Sequence, residues 1–205
     1  MRVIDWDDFE SGRWLAAGDS PAAPLALTVG VFDGVHLGHR ELIRCVLAEN
    51  RCFATVFTFR RNPLETLAPD GFGGDIFGLE RKLFLLRTLG VKLTVLIDFS
   101  AKFSMISGRD FIDLLLDRHP VGLIALGEDF RCGRGLDTGV PEIRNLAAER
   151  GIETRIVPPV MDGGRPVSSS RIRLALAAGR VAEAERLLGH RTQMEYPIGG
   201  DITWH

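Results

Sequence analysis

The stretch LALTVGVFDGVHLGHREL, residues 25–42, leads from an apolar run through a glycine-rich turn into an amphipathic segment. Its first part, Leu25–Phe32, is unbroken in its apolar character and contains β-branched residues, which is typical of a strand buried on both faces. Its last part opens the segment Leu37–Ala48, whose apolar residues lie mostly on one face of a helix. The stretch therefore predicts the first strand and the first helix of a parallel sheet.

The same alternation continues along the chain. Four more apolar runs predict strands, and five more amphipathic segments predict helices. Because strands alternate with helices and hairpin signals are few, we predict an α/β fold: a Rossmann-like open parallel sheet of about five strands with helices on both faces. The later strands are Phe53–Phe59, Leu93–Phe99, Val121–Gly127 and Ile152–Pro158, and the later helices are Leu79–Leu89, Asp110–His119, Glu142–Arg150, Ser170–Ala178 and Val181–Leu188.

Three segments fall outside this alternation. Residues 1–20 contain large apolar side chains and are expected to form a strand or turn packed on the edge of the domain. Pro69–Gly78 is rich in glycine and has no period, which predicts a mobile loop. His190–His205 also lacks a period. We therefore predict one domain over residues 1–189, followed by a C-terminal arm over residues 190–205.

Composition excludes several classes of function. The 205 residues include 25 Lys and Arg against 27 Asp and Glu, a formal net charge of −2. A near-neutral chain argues against broad nucleic-acid binding, yet it leaves room for a small anionic ligand. Three cysteines without metal-ligand spacing fit a reducing compartment. No signal peptide and no uncharged run near the roughly 20 residues of a membrane span are found, so we expect a cytoplasmic protein without a membrane partner.

The turn after the first strand carries the strongest chemical signal. Ligands of open parallel sheets bind beyond the carboxyl ends of the strands. Gly30, Gly34 and Gly38 allow a sharp turn and a close approach to a ligand. His36 and His39 are three residues apart and face the same side of the helix start, where N–H groups are unpaired. This combination predicts a phosphate site, although neither the dinucleotide fingerprint nor a Walker lysine is present.

This turn resembles a known family. His36–His39 (HLGH) resembles the HxGH signature of the nucleotidylyltransferase superfamily, and GVFDGVHLGH resembles the FMN adenylyltransferase module of prokaryotic FAD synthetases, with Val31 in place of asparagine. Three later segments resemble that family in the same order: TFRRNP (58–63), GEDFRCG (127–133) and VSSSRIRLAL (167–176). Arg61, Asn62 and Cys132 depart from its pattern. The resemblance covers roughly residues 25–189.

The resemblance implies roles for individual residues. Arg171 and Arg173 are two apart and diverge on a helix, so we expect only one of them to touch the polyphosphate directly. The resemblance implies that this one is Arg173. No metal ligand from the protein is expected. The implied catalytic residues are His36, His39, Ser169 and Arg173; the ATP-binding residues are Gly30, Phe32, Asp33, Gly34, Gly38, Gly127, Asp129, Ser170 and Arg171; and the flavin-binding residues are Phe59, Asn62, Pro63 and Phe130.

The resemblance also implies an activity. An FMN adenylyltransferase transfers AMP from ATP to FMN and gives FAD and pyrophosphate, with Mg²⁺ held mainly by phosphate oxygens and water. The chain stops shortly after Leu187–His190, where the family's riboflavin kinase domain would begin, so a version with this single domain is expected to adenylylate FMN but not to make it, with a separate riboflavin kinase as a candidate partner. Two alternatives stay open: a nucleotidylyltransferase acting on another phosphate, such as glycerol phosphate or phosphopantetheine, and a non-catalytic flavin- or nucleotide-binding module. The sequence does not predict an oligomeric state.

Overall fold

A seven-stranded parallel sheet runs through the protein, which a computed structural model describes over residues 1–15, 23–193 and 203–204. The strand order in this sheet is β11-β1-β4-β3-β2-β5-β8. Two short antiparallel pairs, β6 with β7 and β9 with β10, lie outside it. The strands are β1 (Arg2–Asp5), β2 (Leu25–Val29), β3 (Phe53–Phe59), β4 (Leu93–Ile97), β5 (Val121–Gly127), β6 (Arg131–Cys132), β7 (Thr138–Gly139), β8 (Glu153–Val157), β9 (Met161–Asp162), β10 (Arg165–Pro166) and β11 (Thr203–Trp204).

The six predicted helices are confirmed, with ends within two residues of the prediction. Local signals set several of these ends. Gly90, with a left-handed backbone, ends the helix Leu79–Leu89. The Ser107 hydroxyl caps the start of the helix Gly108–Asp117 by accepting the N–H of Asp110. The helices are α1 (Trp6–Ser11), α2 (Leu37–Leu47), α3 (Pro63–Leu67), α4 (Leu79–Leu89), α5 (Gly108–Asp117), α6 (Val140–Ala148), α7 (Ser169–Ala177) and α8 (Val181–Leu188).

The five predicted strands form the contiguous part β4-β3-β2-β5-β8 of the sheet. From β2 the chain moves outward through β3 to β4, and it then returns to place β5 on the other side of β2. The connections that leave β2 and β5 therefore diverge at the carboxyl ends of these strands. In open α/β sheets this switch point is where ligands bind. The topology thus places residues 30–39 and 127–133 at one crevice.

The amino terminus corrects the prediction of a segment packed on the edge of the domain. The strand is present, but β1 is a full member of the sheet and pairs with both β4 and β11. Trp6, Phe9 and Trp14 lie in the main core. A strand of four residues is too short for its sequence pattern to reveal which strand it pairs with. With β1 and β11 added, the sheet has seven strands rather than about five. Residues 16–20 of the predicted segment lie outside the described residues.

The C-terminal arm is described only in part. Residues 190–193 follow α8, and residues 203–204 form β11 beside β1. Residues 194–202 and residue 205 lie outside the described part of the chain. The division at residue 189 therefore stays a prediction.

Both faces of the sheet are covered by helices, as predicted. Alternate residues of β2 point to opposite sides: Leu27 joins a core with α1, α5 and α6, whereas Ala26 packs toward Val46 of α2. All five residues of β2 are buried. Within the described residues, no helix is both long enough and apolar enough to cross a membrane.

Candidate active site

The turn after β2 has an unusual backbone. Phe32, Gly34 and Val35 all adopt left-handed conformations, with φ of 52°, 78° and 44°. A β-branched residue such as Val35 is strained there, and such strain persists only where the surroundings enforce it. Phe32 and Val35 are fully buried. A Cβ on Gly34 would lie 3.0 Å from side-chain atoms of Ile76 and Leu188, so packing and backbone together require glycine at residue 34. We call residues 30–39 the histidine loop.

His36 and His39 stack at the start of α2. Their ring centroids are 3.6 Å apart with an interplanar angle of 17°. His36 caps the helix, because its Nδ1 accepts the backbone N–H of His39 at 3.3 Å. A neutral imidazole that accepts at Nδ1 carries its proton on Nε2. The cap thus fixes the ring of His36 with its Nε2–H free of the helix.

Burial keeps both imidazoles uncharged. It lowers the pKa of His36 to about 4, and together with the neighbouring His36 and Lys82 it holds the pKa of His39 well below its usual range. Among the described residues, the buried Nδ1 of His39 has no hydrogen-bond partner. A buried ring nitrogen without a partner is uncommon in a folded protein and calls for an explanation such as a ligand. The pair therefore offers neutral, fixed ring nitrogens rather than positive charge.

Positive charge comes to the histidine loop from α7. Arg173 Nη1 donates to Asp33 Oδ2 at 2.6 Å, and Ser169 Oγ donates to the Asp33 carbonyl at 3.0 Å. Asp33 is 3% exposed, and its Oδ1 accepts the Ile76 N–H at 2.8 Å. Burial raises the pKa of Asp33, against the lowering effects of the Ile76 hydrogen bond and of Arg173. Two of the predicted catalytic residues, Ser169 and Arg173, thus contact Asp33 of the loop that carries the other two, His36 and His39.

The other predicted arginine has a different setting. Arg171 donates to the Asp162 carboxylate and carbonyl and also lies 3.7 Å from Glu183. These contacts attach the β9–β10 hairpin to α7 and α8. The predicted divergence of Arg171 from Arg173 is confirmed, since only Arg173 contacts the histidine loop. Ser170, beside them in the first turn of α7, is exposed.

The predicted flavin segment leaves β3 next to the histidine loop. Asn62 is buried; its Oδ1 caps α3 through the Leu64 N–H at 3.2 Å, and its Nδ2 donates to Asp75 at 2.9 Å. Pro63 is the first residue of α3, where its missing N–H costs nothing. The Phe59 ring contacts Phe99 edge-on at 5.8 Å. Asn62 thus ties this segment to the Gly-rich stretch 69–78.

For this Gly-rich stretch the sequence predicts a mobile loop. Pro69–Gly71 forms a 3-10 turn, and the end of the stretch is anchored by the hydrogen bonds to Asp75 and Ile76. The guanidinium of Arg173 also lies over the Phe72 ring, 5.7 Å from its centroid. The mobility of residues 69–78 stays a prediction, but these residues form one wall of the site. The sequence pattern gave no sign of this contribution.

The other side of the crevice is formed by the turn after β5, where Gly127 ends the strand and the chain turns at Asp129. The Phe130 N–H donates to the Gly127 carbonyl at 3.0 Å and closes this turn. The Phe130 ring packs, partly buried, against the main core. Gly127 and Asp129 thus lie at the predicted crevice, and Phe130 has a packing role as well.

Sequence reasoning missed Lys82 and Thr58. Lys82 is 7% exposed, and its Nζ donates to the carbonyls of Phe59 at 2.8 Å and Val31 at 3.2 Å. Burial lowers its pKa to about 8. One signal was present: Lys82 stands three residues after Leu79 and four before Leu86, inside the apolar stripe of α4. A cation in such a stripe points into the protein.

The described residues supply few groups for a metal. No cluster of three or more His, Cys, Asp or Glu side chains that is suited to a cation occurs within residues 1–15 and 23–193. Asp33 is the buried carboxylate of the histidine loop, and both of its oxygens already accept hydrogen bonds. Any Mg²⁺ at this site would therefore depend on oxygens that a substrate brings.

Sequence comparison places these features in a known context. The FAD synthetase family matches residues 19–171. The bifunctional riboflavin kinase/FMN adenylyltransferase of Escherichia coli K12 is 34% identical over 175 residues, which cover 83% of this chain and 56% of that protein. The FAD synthetase of Listeria monocytogenes is 30% identical over 177 residues, which cover 84% of this chain and 70% of that protein. This chain thus spans little more than half the length of the E. coli relative.

Solved structures share the fold. A crystal structure titled as a macrolide-efflux protein from Streptococcus pneumoniae superposes with a TM-score of 0.73 at 30% identity, over 83% of this chain and 66% of that chain. A pantoate-beta-alanine ligase from Francisella tularensis superposes with a TM-score of 0.52 at 17% identity, over 92% of this chain and 85% of that chain. The second likeness concerns the fold alone.

Proposed function

The chain belongs to the FAD synthetase family, and we propose that it acts as an FMN adenylyltransferase, which transfers AMP from ATP to FMN. The observation that carries this proposal is the meeting of α7 with the histidine loop. Ser169 and Arg173 reach Asp33 of this loop from α7, and His36 and His39 of the same loop stack on each other. Neutral imidazoles, a hydroxyl, helix N–H groups and one guanidinium form a set suited to a polyphosphate.

The proposed reaction is an in-line displacement at the α-phosphorus of ATP. A phosphate oxygen of FMN forms the new P–O bond, and the bond from the α-phosphorus to the bridging oxygen breaks and releases pyrophosphate. The attacking oxygen is already anionic, so no general base is needed. Catalysis then consists of positioning and of stabilising charge on the phosphoryl oxygens.

In this proposal the two sides of the site act on different phosphates. Nε2–H of His36 and the ring of His39 donate to phosphate oxygens near the reacting phosphorus, and they do so as neutral groups because burial lowers the pKa of both. Ser169, Ser170 and Arg173 hold the β- and γ-phosphates. Arg171 stays in the predicted ATP-binding set, and we propose that it acts through the β9–β10 hairpin rather than on a phosphate, since Asp162 engages its guanidinium.

The other predicted site residues are proposed to contact ATP or the flavin. Gly30, Phe32, Asp33, Gly34 and Gly38 shape the histidine loop around ATP. From the β5 turn, Gly127 approaches the nucleotide and Asp129 accepts from its ribose. The flavin lies against the segment after β3 and the same turn, at Phe59, Asn62, Pro63 and Phe130.

Mg²⁺ is proposed to enter with the triphosphate. It neutralises phosphate charge when bound, and phosphate oxygens and water hold it, because Asp33 is occupied by Arg173 and Ile76. We further propose a cytoplasmic protein that uses FMN made by a riboflavin kinase activity outside residues 1–205. Three free cysteines, Cys45, Cys52 and Cys132, fit a reducing compartment.

The test supplies the purified protein with ATP, Mg²⁺ and either FMN or riboflavin. The proposal predicts FAD and an equal amount of pyrophosphate from FMN, and neither FMN nor FAD from riboflavin. Parallel reactions contain glycerol phosphate or phosphopantetheine. Pyrophosphate release with one of these acceptors but not with FMN would contradict flavin specificity, and flavin and nucleotide binding without pyrophosphate would identify a non-catalytic module.

A further inference from the structure

Lys82 is a buried cation outside the motifs that predict the site. It projects from α4, and its Nζ donates to two backbone carbonyls, those of Val31 and Phe59. Thr58 Oγ1 lies 3.4 Å from the same Nζ and itself donates to the Val31 carbonyl at 2.9 Å. Every one of these acceptors is an uncharged oxygen.

The two carbonyls belong to two segments that are proposed to bind different substrates. Val31 is in the histidine loop, which follows β2. Phe59 is the last residue of β3 and precedes Asn62 and Pro63 of the predicted flavin segment. β2 and β3 are neighbours in the sheet, but the last pair of their ladder is Val29 with Phe57, so Val31 and Phe59 both lie beyond it. Lys82 therefore joins the segments where the sheet no longer holds them together.

A purely structural brace would not need a charge at this place. Burying an ammonium group is costly unless a counter-ion is in contact with it. Among the described residues, no carboxylate forms an ion pair with Nζ; Asp75 and Asp33 act on it only through longer-range attraction. A compact group with three donors suits carbonyls on two separate segments, and its positive charge attracts the anionic substrates that these segments are proposed to bind.

We propose that Lys82 is a positioning residue that sets the distance between the ATP-binding histidine loop and the flavin-binding segment. This inference rests on the proposed function, because the two loops must bring two phosphates into line. Misplacing reactants by about 1 Å is enough to cost roughly a hundredfold in rate. Lys82 therefore affects turnover through alignment, while each substrate keeps its own contacts.

The test compares Lys82→Met with Lys92→Met, a matched change at an exposed lysine before β4. Dissociation constants for FMN come from flavin fluorescence, and those for ATP from protection against heat unfolding. Lys82→Met is expected to lower kcat about a hundredfold while each dissociation constant changes by less than about threefold. Lys92→Met should match the wild type. All assays run well below the melting temperature of each variant.

A second variant keeps the test decisive if Lys82→Met does not fold. Thr58→Val removes the hydroxyl that braces the Val31 carbonyl but leaves Lys82 bonded to both loops. It is expected to lower kcat about fivefold with substrate binding retained. The positioning role would be overturned if a folded variant, Lys82→Met or Thr58→Val, kept the wild-type kcat. It would also be overturned if the dissociation constant of either substrate rose by as large a factor as kcat falls. A wild-type protein that makes no FAD would instead overturn the proposed function.

Discussion

The histidine loop and the start of α7 reach the same place by different means. The loop follows a fully buried strand, is held by left-handed backbone at Phe32 and Val35, and presents two uncharged rings. Helix α7 comes from about 140 residues later and presents a guanidinium that is paired with Asp33. In the proposed mechanism the loop is already arranged for phosphate, whereas Arg173 exchanges the Asp33 carboxylate for a phosphate. One side of the site is thus preorganised, and the other is kept neutral until an anion arrives.

Removal of a histidine should give the largest effect, because the loop acts nearest to the reacting phosphorus. His36→Ala is expected to lower kcat about 10²- to 10³-fold, the usual loss for one preorganised donor. FMN binding, measured by flavin fluorescence, should survive. The matched control is His119→Gln, a buried histidine that contacts Pro120 at the opposite ends of the strands. Unchanged turnover in His36→Ala would remove the histidine loop from the mechanism.

Loss of Arg173 should affect both binding and stability. Arg173→Met leaves Asp33 buried without its cation, so the free energy of unfolding should fall by about 3 kcal/mol. The KM for ATP should rise about tenfold or more, because a charge-assisted phosphate contact is lost. Urea unfolding and initial rates measure the two effects.

The double variant Asp33→Asn with Arg173→Met separates these two roles. It no longer buries an unpaired carboxylate, so most of the lost stability should return while the KM for ATP stays high. Recovery of both quantities would mean that the ion pair has a structural role alone, and the comparison between preorganised loop and exchangeable arginine would fail.

Because His36 is uncharged in the folded protein, the free energy of unfolding should depend on pH. The folded pKa of His36 is about 4 against an ordinary value of 6.5. Between these values the unfolded chain holds a proton that the folded protein does not, so stability must fall as pH falls below about 6.5 and level off near 4. At about pH 5 the contribution of His36 to this loss is about 2 kcal/mol.

Urea unfolding at a series of pH values tests this consequence in the wild type and in His36→Gln. The wild type should lose more stability between about pH 7.5 and pH 5 than the variant does. Glutamine has no proton to bind in this range, so it removes the contribution of His36 without adding a charge. Equal losses in both proteins would show that His36 is not held neutral by folding.

The parts of this molecule that sequence could predict are those with local causes. β3 and α4 have the predicted bounds because their causes are local: the apolar run of β3, the helical spacing of apolar residues in α4 and the stop at Gly90. The His36–His39 pair was predictable for the same reason, since three residues at a helix start bring two rings together. The family resemblance then extended the prediction to α7.

What sequence did not predict depends on distant parts of the chain. The pairing of β1 with β4 joins strands about 90 residues apart, and no local pattern encodes it. The contact of Arg173 with Asp33 spans 140 residues, and the bond from Asn62 to Asp75 turns a Gly-rich stretch into a wall of the site. Lys82 left a signal in the stripe of α4, but only tertiary structure reveals the two carbonyls that it joins.

The smallest effect is expected at Arg171, two residues from Arg173. Its guanidinium contacts Asp162 and Glu183, so Arg171→Met should loosen the β9–β10 hairpin and lower the melting temperature by a few degrees. The KM for ATP should change by less than about threefold, because no phosphate contact is lost. Heat unfolding and ATP titration of Arg171→Met and Arg173→Met, side by side, measure the difference. A rise in KM as large as that of Arg173→Met would place both arginines on the polyphosphate, and each of them would then have to exchange a carboxylate for a phosphate.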